Sequence, residues 1–537
     1  MATYGIDLGT TYSCIAHIDD AGRAVVIKNA VGEDTTPSVV YFETASNIVV
    51  GREAKNSAKI SPELTVSLIK RQMGEKLTLE FHGASHSPDS ISSLILMELA
   101  RSASEVVGSP VEDVVITVPA YFGVAQRQAT RNAGRIAGLN VIDVLSEPVA
   151  AALHYESTST DSDRTIMVYD LGGGTFDTTV IQLSGNEVSV LCTDGDHQLG
   201  GADWDARIAD HLLEQFMKEH PESTAKDSED FLQELAISAE DLKKALSSME
   251  TRRHNMRFDG AVTKAELTRD TFEQLTVNLL ERTFEITERT ISLAKERGAN
   301  SFDEVLLVGG STRMPAVAAG LRARFGFEPK LHDPDLAVAK GAALYGLVQS
   351  VREALPSGAE TDAGVTAEPT VAAVNAVADQ LGIAPEQVRK LAEKKIVTVA
   401  PRAFGIKAMR GDDAIITHLL GANAPLPAAP PTQQFYTRVP NQTSIRLQVW
   451  EQAGSVESES LDDNEQIGEG FITDMPPLAQ GSPIDVTFQM ETNGTLRVHA
   501  VELSSGKDLN MEIRIAGLSA EDVDVAREAM SRYTVGS

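Results

Sequence analysis

Cysteine is scarce: Cys14 and Cys192 are the only two in 537 residues. That excludes a disulfide framework and fits a reducing compartment. Long apolar runs are also missing, and none reaches the roughly 20 residues needed to cross a bilayer. The N-terminal stretch has neither a basic n-region nor an apolar h-region. It enters a strand pattern at once, from Thr3 to Leu8, so no secretory signal is expected. Basic residues are outnumbered, 47 Lys and Arg against 77 Asp and Glu, for a formal net charge of −30. That balance argues against a nucleic-acid or membrane-surface partner reached by charge. A cytoplasmic protein is the plain expectation.

What is present is ordinary for a globular chain, 42% hydrophobic and 23% charged. At this length more than one core is required. Residues 1–350 alternate short apolar runs with amphipathic stretches, an α/β signature. The strand candidates Val114–Val118, Ile166–Leu171 and Glu304–Val308 are followed by Pro119, Gly172 and Gly309, as buried strands feeding loops are. A helix is expected to begin at Ser238, with Asp241 as its capping-box partner and Leu242, Ala245, Leu246 and Met249 on one face. Residues 351–395 form a connecting region. Arg352–Pro369 lacks an apolar period and reads as linker. Thr370–Lys395 returns to helix in two pieces, broken at Gly382, with Pro385 in the first turn of the second. In so acidic a chain this is a helical spacer rather than a DNA-reading helix-turn-helix.

From Ile396 the period becomes two. Ile445, Leu447 and Val449 point one way, and Ile484, Val486, Phe488 and Met490 repeat the pattern, as do Leu496, Val498 and Ala500. Asn493-Gly494 and Ser505-Gly506 are turn signals between runs. An antiparallel β-domain is expected over 396–516, ending near Ile515. Residues 517–537 follow as a tail with one short helix over Ser519–Tyr533.

Two segments look like copies of one device. Asp7-Leu8-Gly9-Thr10-Thr11 and Asp170-Leu171-Gly172-Gly173-Gly174-Thr175-Phe176-Asp177 each follow one strand and open into another. Glycines let backbone N–H groups approach phosphate oxygens, and threonine hydroxyls add donors. An Asp at each strand end suits a hydrated Mg²⁺. A third turn, Gly309-Gly310-Ser311-Thr312-Arg313, leads toward a helix and carries an Arg able to stack on a base. One such string is weak; three in this order, each after an apolar strand, point to a polyphosphate clasp.

At these residues the chain resembles the heat-shock-protein-70 (DnaK-type) chaperone family, in particular its short-bodied bacterial members without a C-terminal lid. The resemblance runs through Gly5–Ser13, Ile69-Lys70-Arg71, Val115–Leu139, Glu147-Pro148, Asp170–Asp177, Leu199–Asp205, Glu240–Ser248, Gly309–Pro315 and Asp333–Ala343. It continues into the β-domain at Gly405-Ile406, Asn441-Gln442 and Ser505-Gly506-Lys507. It implies an α/β actin-like ATPase domain of four subdomains followed by an antiparallel β-sandwich, with ATP, Mg²⁺ and K⁺ as cofactors.

By the same resemblance, Asp7 and Asp170 position the metal-bound phosphates, Gly9, Thr10, Thr11 and Tyr12 line the first loop, and Gly172, Gly173 and Gly174 the second. Lys70 reaches the γ-phosphate, Glu147 and Thr175 surround the attacking water, and Asp177 helps hold the monovalent cation. Gly200, Gly201, Glu240, Lys243 and Ser247 belong to the nucleotide site. Lys244 and Arg313 flank the adenine, with Gly309, Gly310, Ser311 and Asp335 on the nucleoside side. Pro119 and Arg127 match the switch that reports nucleotide state. Ile406, Met409, Phe435, Ile445, Leu447 and Met490 match peptide-cleft positions, and Arg438 stands where the family has an apolar arch residue. The partners implied are unfolded peptide segments, a specialised J-domain co-chaperone and an exchange factor.

The chain also departs from the pattern. It is short between Met73 and Ser93, so one lobe is trimmed, and the hairpin after Ser248 is short as well. His82 and His86 have metal-like spacing but no carboxylate or thiolate beside them, which favours loop roles. Asp143 replaces a basic residue that meets the J-domain, and Lys394-Lys395-Ile396-Val397-Thr398 replaces a leucine-rich linker. Three rival readings are a regulatory module that has lost client binding, a small-molecule kinase on the same scaffold, and a filament-forming actin relative. The last two leave the β-domain unexplained.

Overall fold

The computed structural model describes residues 3–158, 163–355, 370–382, 384–454, 456–492, 494–513 and 520–536. The expected linker after residue 355, the Asn493 half of one turn, Ile515 and Ser519 lie outside the described residues. The helices are α1 (Arg52–Ser57), α2 (Pro88–Val107), α3 (Val124–Ile136), α4 (Glu147–Thr158), α5 (Gly201–Glu219), α6 (Glu229–Leu246), α7 (Arg269–Glu296), α8 (Pro315–Phe325), α9 (Ala337–Ala354), α10 (Val371–Leu381), α11 (Pro385–Glu393) and α12 (Ala520–Met530). None of the described helices is long and apolar enough to cross a membrane.

Two mixed sheets organise the first 355 residues. In lobe I the strand order is Asn140–Ser146, Asp113–Val118, Thr3–Asp7, Tyr12–Ile18, Ala24–Ile27. In lobe II it is Lys330–Leu331, Glu304–Val308, Asp163–Leu171, Phe176–Ser184, Glu187–Asp196, Lys395–Val397. Each sheet joins antiparallel hairpins to parallel neighbours. Such strands are buried on both faces and read as continuous apolar runs. The helices α4 and α9 lie between the sheets, in one core with Val115 and Leu145 of lobe I and Ile166, Val168 and Val308 of lobe II. They cross so closely that a Cβ on Gly341 would stand 1.7 Å from the Ala150 carbonyl oxygen.

Helix α6 begins ten residues earlier than the capping pattern at Ser238 suggested. Its N-cap is Ser228, whose hydroxyl accepts from the Phe231 N–H. Phe231, Leu235, Ala239, Leu242 and Leu246 form its buried stripe. Ser238 is an interior residue of an unbroken apolar face, and Met249 lies exposed beyond the helix end. The trimmed segment of lobe I is a small hairpin, Leu79–Phe81 with Ala84–His86. Its histidines are structural: His82 Nε2 lies 2.7 Å from the Phe42 carbonyl oxygen, and buried His86 packs on Phe42 and Phe81.

After α9, the helices α10 and α11 dock on its end through Val374, Val377 and Val388 against Val351 and Leu355. The β-domain is a sandwich of two antiparallel sheets. Their orders are Asp413–Leu420, Phe404–Arg410, Ile445–Gln452, Asn464–Ile472 and Gln433–Tyr436, Pro483–Met490, Leu496–Glu502, Asp508–Ile513. The period-two residues fill its interior, with Val449, Val486, Phe488 and Ala500 fully buried. The tail does not lie over the sandwich. Helix α12 packs on α3 and α2 of lobe I, and Thr534–Gly536 runs parallel to Asn47–Val50.

Candidate nucleotide site and interdomain switch

The first two glycine loops are the turns of two hairpins, with Asp7 paired to Cys14 in one and Asp170 to Asp177 in the other. Val308, which feeds the third loop, neighbours Asp170. Sheet topology therefore sets the second and third loops side by side in lobe II, and the packing of the lobes brings the first loop to them. The first two touch: a Cβ on Gly173 would come 2.1 Å from Thr11 Oγ1, and one on Gly174 2.3 Å from Thr10 Cγ2. Only glycine permits that approach. Between the lobes lies a cavity of about 640 Å³, lined among others by Asp7, Gly9, Thr10, Thr11, Tyr12, Lys70, Glu147, Asp170, Gly172, Gly173 and Thr175. Glu240, Lys243, Lys244, Ser247, Gly309, Gly310, Ser311, Arg313 and Asp335 line its other end.

Gly174, Gly200 and Gly201 stand behind the wall. The Gly201 N–H donates to the Gly172 carbonyl (2.9 Å) and the Ala202 N–H to that of Gly173 (2.8 Å), bracing the second loop. Ser311 Oγ donates to the same Gly172 oxygen at 2.9 Å. At the deep end Lys70 Nζ meets Glu147 Oε1 at 2.6 Å, both buried. Thr117 Oγ1 lies 3.3 Å from Asp7 Oδ1. Asp177 sits outside the cavity wall and accepts the N–H groups of Ala120 and Tyr121, each at 3.2 Å.

Burial, reinforced by the Glu147 charge, raises the Asp7 carboxyl to about 7 and Asp177 to about 8. Burial and Glu147 also push Asp170 well above the usual carboxylate range. Four carboxylates thus crowd around one ammonium group, an arrangement that favours cations. Burial holds Asp7 and Asp170 toward their neutral forms, and further positive charge beside Lys70 would favour their ionised forms, which fits Mg²⁺ next to them.

At the outer end Lys243 Nζ donates to Asp205 (2.7 Å) and to the Gly201 carbonyl (2.8 Å). Glu240 is paired with Lys244 (2.6 Å) and with Lys55, and it accepts from the Tyr12 hydroxyl at 2.9 Å. Lys244 also lies over the Tyr12 ring, 4.5 Å from its centroid. Arg313 pairs with Asp335 beside the cavity mouth. Sequence reasoning missed Lys55, Asp205 and Thr117. Lys55 on α1 reads as a surface lysine, and only the fold carries it across the cleft to Glu240.

Pro119 and Arg127, the residues matched to the family's switch, lie where the domains meet. The Phe122 N–H donates to the Pro119 carbonyl (3.2 Å), and Arg127 Nε donates to the Phe122 carbonyl (3.1 Å). Here the sandwich is docked. The Tyr121 hydroxyl donates to the Gly454 carbonyl (2.8 Å), the Val124 N–H to buried Glu451 (3.3 Å), and Arg402 covers the Tyr121 ring. Asn423 exchanges hydrogen bonds with the Thr193 backbone at 2.7 and 3.2 Å. The linker, though not leucine-rich, forms the strand Lys395–Val397 beside Glu187–Ser189. Arg127 and Asp143 line an interdomain cavity of about 360 Å³. Asp143 is not a free carboxylate; it accepts from Arg131 (3.1 Å) and from the Tyr345 hydroxyl (2.7 Å).

The peptide-cleft candidates separate. Strand alternation turns Ile406, Ile445 and Leu447 into the sandwich core. Met490 is a core residue as well, its backbone bridged to Ala428, and it reaches the interdomain cavity. Phe435 is half-buried, whereas Met409 and Arg438 are exposed. Arg438 is occupied locally, donating to the Gly411 carbonyl at 2.8 Å with Asp412 3.5 Å away.

The family model described as Hsp70 protein matches residues 3–356 and 347–535. These spans cover nearly the whole chain, and it belongs to the Hsp70 family. Members of that family are chaperone ATPases that bind ATP with Mg²⁺, unfolded client proteins and co-chaperones.

Proposed function

We propose that this member of the Hsp70 family is a chaperone that hydrolyses ATP to control its hold on extended, unfolded peptide segments. The observation carrying the reading is the convergence of three strand-fed glycine loops and the buried Lys70–Glu147 pair on one interlobe cavity. In this reading residues 1–350 bind nucleotide, 351–395 connect, 396–516 bind peptide and 517–537 form the tail. Two buried free cysteines suit a cytoplasmic setting.

Asp7 and Asp170 would hold Mg²⁺ through its waters, and Asp177 would help hold K⁺; bound there, the ions neutralise charge developing on the transferred phosphoryl group. The chain's own residues do the rest. Loop N–H groups and the Thr10 and Thr11 hydroxyls cradle phosphate oxygens. Lys70 sets its ammonium against the terminal phosphate, held in place by Glu147. Glu147 and Thr175 orient the attacking water. Phosphoryl transfer needs this positioning and charge stabilisation more than covalent chemistry. Asp177 accepts from the backbone next to Pro119, so a change around the phosphates reaches the segment on which the sandwich sits.

Peptide would bind as an extended strand near Met409 and Arg438. The burial of the other cleft candidates favours a second reading, a nucleotide-dependent interaction module that has lost client binding. ATPase turnover with and without a panel of unfolded peptides separates the two. Stimulation by peptide supports the chaperone; unchanged turnover across the panel supports the module.

A further inference from the structure

Both ends of the β-domain are tied down, each to a different lobe. At its N-terminal end, Lys395–Val397 is a strand of the lobe II sheet. The helical insert just before it is anchored on α9, with Lys394 paired to Glu156 of α4 and Asn186 Nδ2 donating to Glu393 at 2.8 Å.

At its C-terminal end the chain returns to lobe I. Val523 and Met530 of α12 are buried in the lobe I core alongside Phe81, Met73 and Ile91. Ala526, Ala529, Tyr533 and Val535 pack against that core. The Tyr533 ring lies 5.9 Å from His86 of the trimmed hairpin. Thr534–Gly536 then covers the edge of Asn47–Val50, with the Thr534 N–H donating to the Ser46 carbonyl at 2.9 Å. An apolar helix face and an added strand are how a chain seals an exposed edge. The space left by the short hairpin is filled by the chain's own end.

We propose that residues 520–536 are an intramolecular strap that keeps the β-domain seated on the ATPase lobes in both nucleotide states. A domain held by one linker leaves when its docking surface weakens. A domain held at both ends stays at an effective concentration on the order of millimolar or above, so weakened docking shifts it without releasing it. Nucleotide-driven movement of lobe I against lobe II then acts on the sandwich through two attachments. This rests on the reading above that a change around the phosphates reaches the segment on which the sandwich sits.

The test uses energy transfer between dyes on Ser504→Cys of the sandwich and Ser292→Cys of α7, both exposed positions. The native Cys14 and Cys192 are buried, so labelling is selective. A protease site placed between Ile513 and Ala520 lets the strap be cut after folding. The expected result is equal transfer with ATP and ADP in the intact chain, and transfer that falls with one of the two nucleotides once the strap is cut. Unequal transfer in the intact chain overturns the proposal, as does equal and undiminished transfer with both nucleotides after cutting. If cutting unfolds lobe I, a connector lengthened by about 30 Gly and Ser residues replaces it, with the same outcomes. A nucleotide titration run in parallel separates failures: absent binding sinks the ATPase reading, while intact and cut chains compared without nucleotide still test the strap.

Discussion

Replacing Lys55 by Ala should let bound nucleotide leave about tenfold faster. Lys55 belongs to α1 of lobe I and Glu240 to α6 of lobe II, so their ion pair ties the lobes across the cavity mouth. Burial alone would raise the Glu240 carboxyl, but Lys55 and Lys244 outweigh it and bring it from 4.5 to about 2. At 1.36 kcal/mol per tenfold, that is about 3 kcal/mol in favour of the ionised form. Two ammonium groups share it. Lys244 is on the same helix as Glu240 and half exposed, so its share does not hold the lobes together. The bond Lys55 makes across the cleft is a charge-assisted one worth about 1.5 kcal/mol, which corresponds to about tenfold in release rate. Stopped-flow displacement of a fluorescent ATP analogue measures it. A double-mutant cycle with Glu240→Gln isolates the pair. Release within twofold of the unmutated chain, or full additivity in the cycle, would refute the reasoning. Because the Glu240 value is depressed, the clasp is present above 4.5 and is lost only as pH falls toward about 2. The ratio of release rates between the Lys55→Ala chain and the unmutated one should therefore be constant through neutral pH and shrink on acidification.

Lys70→Ala should slow hydrolysis by orders of magnitude while nucleotide still binds, if the ammonium acts mainly on the transition state as proposed; single-turnover kinetics beside a binding titration checks both. Gly341→Ala should destabilise the nucleotide domain by about 3 kcal/mol or more, since its Cβ would strike the Ala150 carbonyl, and a thermal melt with Tm unchanged would count against that packing. Peptide should exchange fast with both ADP and ATP, because no described helix covers the sandwich and α12 sits on lobe I. Fluorescence-anisotropy dissociation lasting many minutes in ADP would contradict this. Any preference for acidic peptides should be small and vanish with salt, since Arg438 already donates to Gly411; equal affinities at high salt are expected.

Much of this protein is written locally. Apolar runs ending at Pro119, Gly172 and Gly309 marked the strands, and glycine-threonine strings marked the loops that line the interlobe cavity, because close backbone approach requires glycine. Alternation alone predicted the inward faces of Ile445–Val449 and Ile484–Met490, since a strand's side chains have period two. Other features are products of distance. Ser238 imitated a helix start, but the apolar stripe from Phe231 onward overrode it once packed. Lys55 joined the site only because two lobes fold face to face, and Asp143 found Arg131 and Tyr345 from other elements. The buried cleft candidates and the tail's return to lobe I belong to the same class. A stretch of Val, Ala, Met and Tyr states that a face must be buried; which surface buries it depends on where the trimmed hairpin leaves room, 440 residues earlier in the chain.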